Sequence, residues 1–157
     1  MKRTFLFPGS FDPFTKGHED LVRRMLTLCD NIVIAVGVNS QKRSYFSTES
    51  RLEHIRSHFP DIKNISVEPY SGLTTTFCKE KGASYLIRGL RNGLDAEFEK
   101  AIAQMNMKLA GVDTIFAMTS PEFGAISSTI VREIRRNSGD ISAFVTNPEL
   151  LVIDISK

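Results

Sequence analysis

Phe7-Pro8-Gly9-Ser10-Phe11-Asp12-Pro13-Phe14-Thr15-Lys16-Gly17-His18 joins an apolar run, Phe5-Leu6-Phe7, to the amphipathic pattern Leu21, Met25, Leu28. The first reads as a strand and the second as a helix. Between them lie two prolines, two glycines, two hydroxyls, an aspartate and one histidine. A strand feeding a glycine-rich turn and then a helix N-terminus is a natural phosphate site. Backbone N–H groups point outward there and the helix dipole favours negative charge. His18 falls in the first turn of that helix, so its imidazole is expected to face the same space. Gly17 beside it leaves room for a ligand.

Outward from this stretch, strand-like and helix-like segments alternate. Short β-branched or aromatic runs predict strands at 3–7, 32–38, 65–69, 85–88 and 114–118. The middle ones are apolar almost throughout, as suits strands buried on both faces of a parallel sheet. Helices are predicted over 17–28, 48–59, 73–81, 95–110 and 128–137, the second stopping at Pro60 and the fourth at Gly111. The fourth carries Phe98, Ile102, Met105 and Leu109 as a stripe of the kind that faces a core. The fifth points Ile130, Val131 and Ile134 inward. Alternating βα order predicts an α/β, doubly wound five-stranded parallel sheet with right-handed crossovers. The apolar tail 150–155 is either an edge strand or a subunit contact.

At 157 residues the chain is the length of one domain, 1–157, with 41% apolar residues. No apolar run reaches the roughly 18–20 residues that cross a membrane. Pro8, Gly9 and Asp12 cut the N-terminal run too early for a signal peptide, which points to a cytoplasmic protein. A net charge of +2 and the lack of a Lys/Arg block with interleaved aromatics argue against a nucleic-acid partner. Cys29 and Cys78 sit singly in apolar helical patterns and read as buried free thiols. Three histidines and two cysteines without clustering give no metal-ligand set.

Ligands of doubly wound sheets bind beyond the carboxyl ends of the strands. The loops there are 9–17, 39–47, 70–74, 89–94 and 119–128. There is no G-x-x-x-x-G-K-(S/T), no G-x-G-x-x-G after the first strand and no G-x-S-x-G, so a P-loop enzyme, a dinucleotide dehydrogenase and an α/β-hydrolase are disfavoured. The loops do hold single basic residues beside glycines. Arg88-Gly89-Leu90-Arg91 offers two guanidiniums suited to bidentate phosphate contacts; taken alone they also read as surface arginines. Lys42, in 39–43, is a solvated loop lysine or a mobile cation for a transferring phosphoryl group. Ser127, Ser128 and Thr129 cap a helix, and also suit a triphosphate at its N-terminus. Asp12 shapes the turn. Asp12 and Glu99 are single carboxylates and form no acidic pair.

The set Pro8-Gly9-Ser10-Phe11-Asp12-Pro13, Thr15-x-Gly17-His18, Ile87-Arg88-Gly89-Leu90-Arg91 and Ile126-Ser127-Ser128-Thr129 resembles the nucleotidyltransferase superfamily with the (H/T)-x-G-H signature. Within it, the I-R-G-L-R segment followed by Phe98-Glu99 is similar to the bacterial phosphopantetheine adenylyltransferases. The likeness covers about residues 1–145. It implies a Rossmann-like nucleotidyltransferase fold and adenylyl transfer from ATP to 4′-phosphopantetheine, giving dephospho-coenzyme A and pyrophosphate with Mg²⁺. By resemblance His18, Lys42 and Arg91 carry catalysis. Ser10, Lys42, Thr74 and Arg88 would hold the acceptor phosphate. Ser10, Phe11, His18, Gly89, Leu90, Arg91, Glu99 and Phe123, Gly124, Ala125, Ile126, Ser127, Ser128 and Thr129 would hold ATP. The family is typically a homohexamer inhibited by coenzyme A. Three departures stand out: Ser10 where Thr is common, Phe123-Gly124-Ala125 where Trp often occurs, and a short apolar tail after Asn147. Two other readings stay open: a sister enzyme acting on nicotinate mononucleotide or a sugar or glycerol phosphate, and an inactive nucleotide sensor.

Overall fold

The computed structural model describes residues 2–155. Five strands, β1 (Thr4–Gly9), β2 (Asn31–Gly37), β3 (Ile65–Tyr70), β4 (Tyr85–Leu90) and β5 (Asp113–Met118), form one parallel sheet in the order β3-β2-β1-β4-β5. Between and after them run α1 (Lys16–Met25), α2 (Thr48–Ser57), α3 (Thr74–Glu80), α4 (Gly93–Ala110) and α5 (Ser128–Arg136). The predicted α/β doubly wound architecture is therefore observed.

Alternate residues of each central strand serve opposite faces, as the pleat requires. Phe5, Phe7, Ile32 and Ile34 join Leu21, Val22 and Met25 of α1 and Ile55 of α2 in one core. Leu6, Val33 and Ala35 join Cys78 of α3 and Leu86 in the other. A third cluster lies off the sheet, where Phe46, Val131, Ile141, Val145 and Leu151 tie the 39–47 loop, α5 and the C-terminal segment together. Cys29 and Cys78 are buried free thiols, as expected.

The sheet opens at its centre. β1 pairs with β2 from Thr4 through Gly9, but its register with β4 is limited to Phe5↔Tyr85 and Leu6↔Leu86. Pro8 has no N–H to continue the β1–β4 ladder. Its carbonyl instead accepts a hydrogen bond from Arg88 Nη1 at 2.7 Å. This split is the point where strand order reverses, and ligands of such sheets bind there.

Several expectations need correction. α1 ends at Met25 with Leu26 as its cap, and Leu28 lies beyond it, half exposed, where the chain turns so that Asp30 N–H can bond Arg3 O and start β2. α4 begins at Gly93, because Asn92 Oδ1 caps it by accepting Asp95 N–H. Its apolar stripe is not core: Phe98 is 69% exposed, Met105 65% and Leu109 63%. Period 3.6 reveals an apolar face but not what covers it: Ile102 and Leu109 line the sheet's cleft beside Glu99, Ala103 and Asn106, while Phe98 and Met105 do not. On α5, Val131 is buried, Ile134 is partly so, and Ile130 is exposed. The tail adds no strand to the sheet. It straps across the 39–47 loop through a single antiparallel bridge, Phe46↔Ile153, with Ser47 N–H bonded to Val152 O and Asp154 N–H to Tyr45 O.

Candidate active site

Two clefts meet at the split between β1 and β4. The larger, about 750 Å³, is lined by Ser10, Lys42, Thr74, Arg88 and Glu99 among others. The smaller, about 240 Å³, is lined by Ser10, Phe11, Gly17, His18, Gly89 and Arg91, with Ile126 and Ser128 at its far wall. Pro8, Gly9, Ser10 and Arg88 belong to both. One cation, Arg88, and one hydroxyl, Ser10, thus stand where the two spaces join.

The smaller cleft is built from the turn that follows β1. Gly9 is required there, since a Cβ would lie 2.9 Å from the Phe11 ring. Phe11 takes a positive φ of 44°, an arrangement a bulky residue adopts only when its surroundings hold it. Its ring is buried and packs edge-on to Phe7, Phe14 and His18. Phe11 is therefore a floor beneath His18, and its backbone is the part that faces the cleft.

Thr15 and His18 form a reciprocal cap at the start of α1. Thr15 Oγ1 accepts the His18 N–H, and the Thr15 N–H donates to His18 Nδ1 at 2.9 Å. This is the capping-box pattern with His in the place of Glu. An Nδ1 that accepts a hydrogen bond carries no proton, so neutral His18 holds its proton on Nε2. The ring sits among Phe7, Phe11 and Phe14. That burial, with Arg88 and Arg91 adding like charge, pulls its pKa down to about 4 from the ordinary 6.5. His18 is a neutral donor near pH 7.

Each nitrogen of the Arg88 guanidinium makes one hydrogen bond within the protein, which accounts for three of its five N–H groups. Nε and Nη2 grip Glu99 Oε2 and Oε1 at 2.8 and 2.6 Å, and Nη1 holds Pro8 O. Such a fork fixes the guanidinium plane at the junction of the clefts. Glu99, expected beside ATP, stands in the larger cleft against Arg88. Arg91 is exposed and is steadied by Asp95 Oδ2, which accepts from its backbone N–H at 2.9 Å and from Nε at 3.3 Å. Lys42 is exposed in its loop and lines the larger cleft. Thr74 Oγ1 shares a hydrogen bond with Tyr70 Oη at 2.9 Å.

The three hydroxyls at α5 are all engaged within the protein. Ser127 Oγ caps the helix by accepting Ile130 N–H, Ser128 Oγ donates to Pro13 O, and Thr129 Oγ1 accepts from Arg132. Leu90, Gly124, Ala125, Ser127 and Thr129 do not line the smaller cleft, and Phe123 lines a recess on the outer side of α1.

Sequence reasoning missed Arg132 and Asn106, and read Asp12 only as shaping its own turn. Asp12 is buried and its carboxylate accepts Tyr45 N–H at 2.7 Å and Phe46 N–H at 2.9 Å. Arg132 Nη1 donates to Asp12 O at 2.6 Å. Asn106 lines the larger cleft from α4. The sign available for Asp12 was that it is the one carboxylate in the 9–17 turn; nothing local marked the other two.

Residues 6–134 match the cytidylyltransferase-like family. A phosphopantetheine adenylyltransferase of Flavobacterium psychrophilum is 49% identical over 143 residues, covering 91% of this chain and 95% of that protein. One from Cytophaga hutchinsonii is 48% identical, covering 92% and 97%. One from Phocaeicola vulgatus is 45% identical, covering 97% and 99%. Among solved structures, a bifunctional NMN adenylyltransferase/ADP ribose pyrophosphatase from Francisella tularensis superposes with TM-score 0.74 at 17% identity, over 96% of this chain and 47% of that one. A putative nicotinate-nucleotide adenylyltransferase from Vibrio parahaemolyticus gives 0.70 at 17% identity, over 96% and 91%. At that identity the superpositions speak for the fold alone.

Proposed function

The chain belongs to the cytidylyltransferase-like family, among the phosphopantetheine adenylyltransferases, and from that premise we propose that it joins ATP and 4′-phosphopantetheine to give dephospho-coenzyme A and pyrophosphate. The observation that supports this reading most directly is the pair of clefts sharing Ser10 and Arg88. ATP lies along the smaller one, with its phosphates at the β1–α1 turn. The acceptor lies in the larger one, with its phosphate between Ser10, Lys42, Thr74 and Arg88.

An acceptor phosphate oxygen attacks the α-phosphorus. The new P–O bond forms as the bond to the β-bridging oxygen breaks, and pyrophosphate leaves with that electron pair. No protein nucleophile is needed. His18 Nε2–H donates to an α-phosphate oxygen, where charge grows in the transition state. Lys42 and Arg91 neutralise the phosphates on either side of the reacting centre. Neutral His18 suits this task, because a donor held in place by Thr15 needs no reorganisation as charge develops.

Among the described residues, no three His, Cys, Asp or Glu side chains are grouped as metal ligands. The one carboxylate lining the clefts, Glu99, is paired with Arg88, and the hydroxyls and cations around it suit a substrate that brings Mg²⁺ on its own phosphates. MgATP is the substrate form in this reading. Coenzyme A carries the same pantetheine arm as the acceptor, so the larger cleft is also the place for its inhibition. The homohexamer that the resemblance implies would cover exposed apolar side chains such as Phe98 and Met105 of α4 and Met118 of β5. Residues 1–157 act as one domain in this reading, since the tail packs Leu151 against Phe46 of the Lys42 loop. Among the described residues no helix is long and apolar enough to cross a membrane, and a coenzyme A enzyme of this kind works in the cytoplasm.

The test is pyrophosphate release from MgATP with 4′-phosphopantetheine or nicotinate mononucleotide as acceptor. Release with the former alone, with dephospho-coenzyme A formed, is the expected result. Release with the mononucleotide alone would overturn the acceptor assignment, and release with neither would leave a nucleotide sensor.

A further inference from the structure

Arg51, on α2, is 1% exposed and touches neither cleft. Its charge is faced by Asp12, Asp154 and Glu49. Its guanidinium spends its donors on the two loops that shape the site. Nη1 donates to Ser10 O, Nε to Phe46 O at 3.2 Å, and Nη2 to Ser44 Oγ and Thr48 Oγ1, each at 3.0 Å. Ser10 belongs to the turn after β1; Ser44 and Phe46 belong to the loop that carries Lys42.

Asp12 ties the same two segments with opposite polarity. Its carboxylate takes the N–H groups of Tyr45 and Phe46, while Arg51 takes the Phe46 carbonyl. Both backbone groups of Phe46 are therefore held, the N–H by Asp12 of the turn after β1 and the carbonyl by Arg51 of α2. Burial pulls the Arg51 pKa below its ordinary value, and the carboxylates of Asp12, Asp154 and Glu49 offset that only in part. A buried arginine kept on four oxygen acceptors is a fixture rather than a surface ion pair.

We propose that Arg51 is a positioning residue for adenylyl transfer, setting Lys42 at its working distance from Ser10 and the β1–α1 turn. The inference rests on the functional reading above. Its effect runs through the Lys42 loop, so it is felt where the acceptor phosphate and the reacting α-phosphate meet. Lysine keeps the charge but not the fork, and one ammonium cannot span from Ser10 O to Thr48 Oγ1.

The test is a double-mutant cycle with Arg51→Lys and Lys42→Ala, measured as kcat and KM for each substrate. Wild-type turnover with 4′-phosphopantetheine checks the functional reading; the cycle checks Arg51. Arg51→Lys should lower kcat/KM for the acceptor by about 10–100-fold, as small misplacements do, with ATP affinity nearly kept. Added to Lys42→Ala it should lower activity little further, because both changes remove one contribution. Fully multiplicative losses would overturn the proposal. Should Arg51→Lys fail to fold, Ser44→Ala removes one tie and keeps the arginine. It should raise acceptor KM and speed amide exchange at Tyr45 and Phe46 with the melting temperature unchanged. Unchanged KM and exchange in that variant would equally overturn it.

Discussion

The backbone N–H of Thr15 donates to Nδ1 of His18 at 2.9 Å, and this one bond decides which ring nitrogen can act on a substrate. His18→Ala should fold and bind ATP almost normally while kcat falls about 100–1,000-fold, the usual loss for one transition-state donor. Nitrogen NMR of the wild type should show Nδ1 unprotonated and Nε2 bearing hydrogen. A large loss of ATP affinity with kcat kept, or a proton on Nδ1, would contradict the assignment.

Burial pulls the pKa of both His18 and His54 to about 4, and burial also lowers that of His58. Their ordinary value is 6.5, so between pH 6.5 and about 4 the unfolded chain holds protons that the folded chain does not. Stability from these groups is complete above pH 6.5 and is lost as pH falls through that window. Ring resonances of His18 and His54 should keep neutral-form shifts from pH 8 down to pH 5 while the melting temperature declines. A titration near pH 6.5 in the folded protein would rule this out.

Arg88 and Glu99 form a bidentate pair at the cleft junction, with the glutamate side chain 11% exposed. Arg88→Ala should raise acceptor KM and also destabilise the fold, by about 3 kcal/mol, because it leaves a buried carboxylate unpaired. Adding Glu99→Gln should restore much of the stability but not the acceptor affinity. Recovery of both together would mean that Arg88 serves the fold alone.

Phe98 and Met105 on α4 are two-thirds exposed. Phe98→Glu together with Met105→Lys should leave the melting profile of the protomer intact and reduce the assembly seen by sedimentation. An assembly of unchanged mass would show that this face is not the subunit contact.

How much could be read beforehand follows from where each signal resides. Phe5, Leu6 and Phe7, and the run Ile32–Val36, announced buried parallel strands because apolar side chains filled both faces. Thr15-x-x-His18 was visible as a motif, yet its meaning as a reciprocal cap that fixes a tautomer needed the backbone around it. Phe98 and Met105 were legible as an apolar stripe, but periodicity does not say whether core or surface receives it. The position of Glu99 against Arg88 escaped for the same reason, since eleven residues and a change of element separate them.

By itself the sequence determined the order of strands and helices, the parallel sheet, and the turn at 8–18 on which the phosphate site is built. These depend on local properties: side-chain period, proline's missing N–H, glycine's missing Cβ. Only the tertiary structure decided that β1 and β4 part after Leu6 and Leu86, that His18 is neutral, and that Arg51 and Asp12 clamp Phe46 between two loops. Those features arise from desolvation and from hydrogen bonds such as Tyr45 to Asp12 and Arg88 to Pro8, whose partners lie 33 and 80 positions apart and meet only when the chain has closed around them.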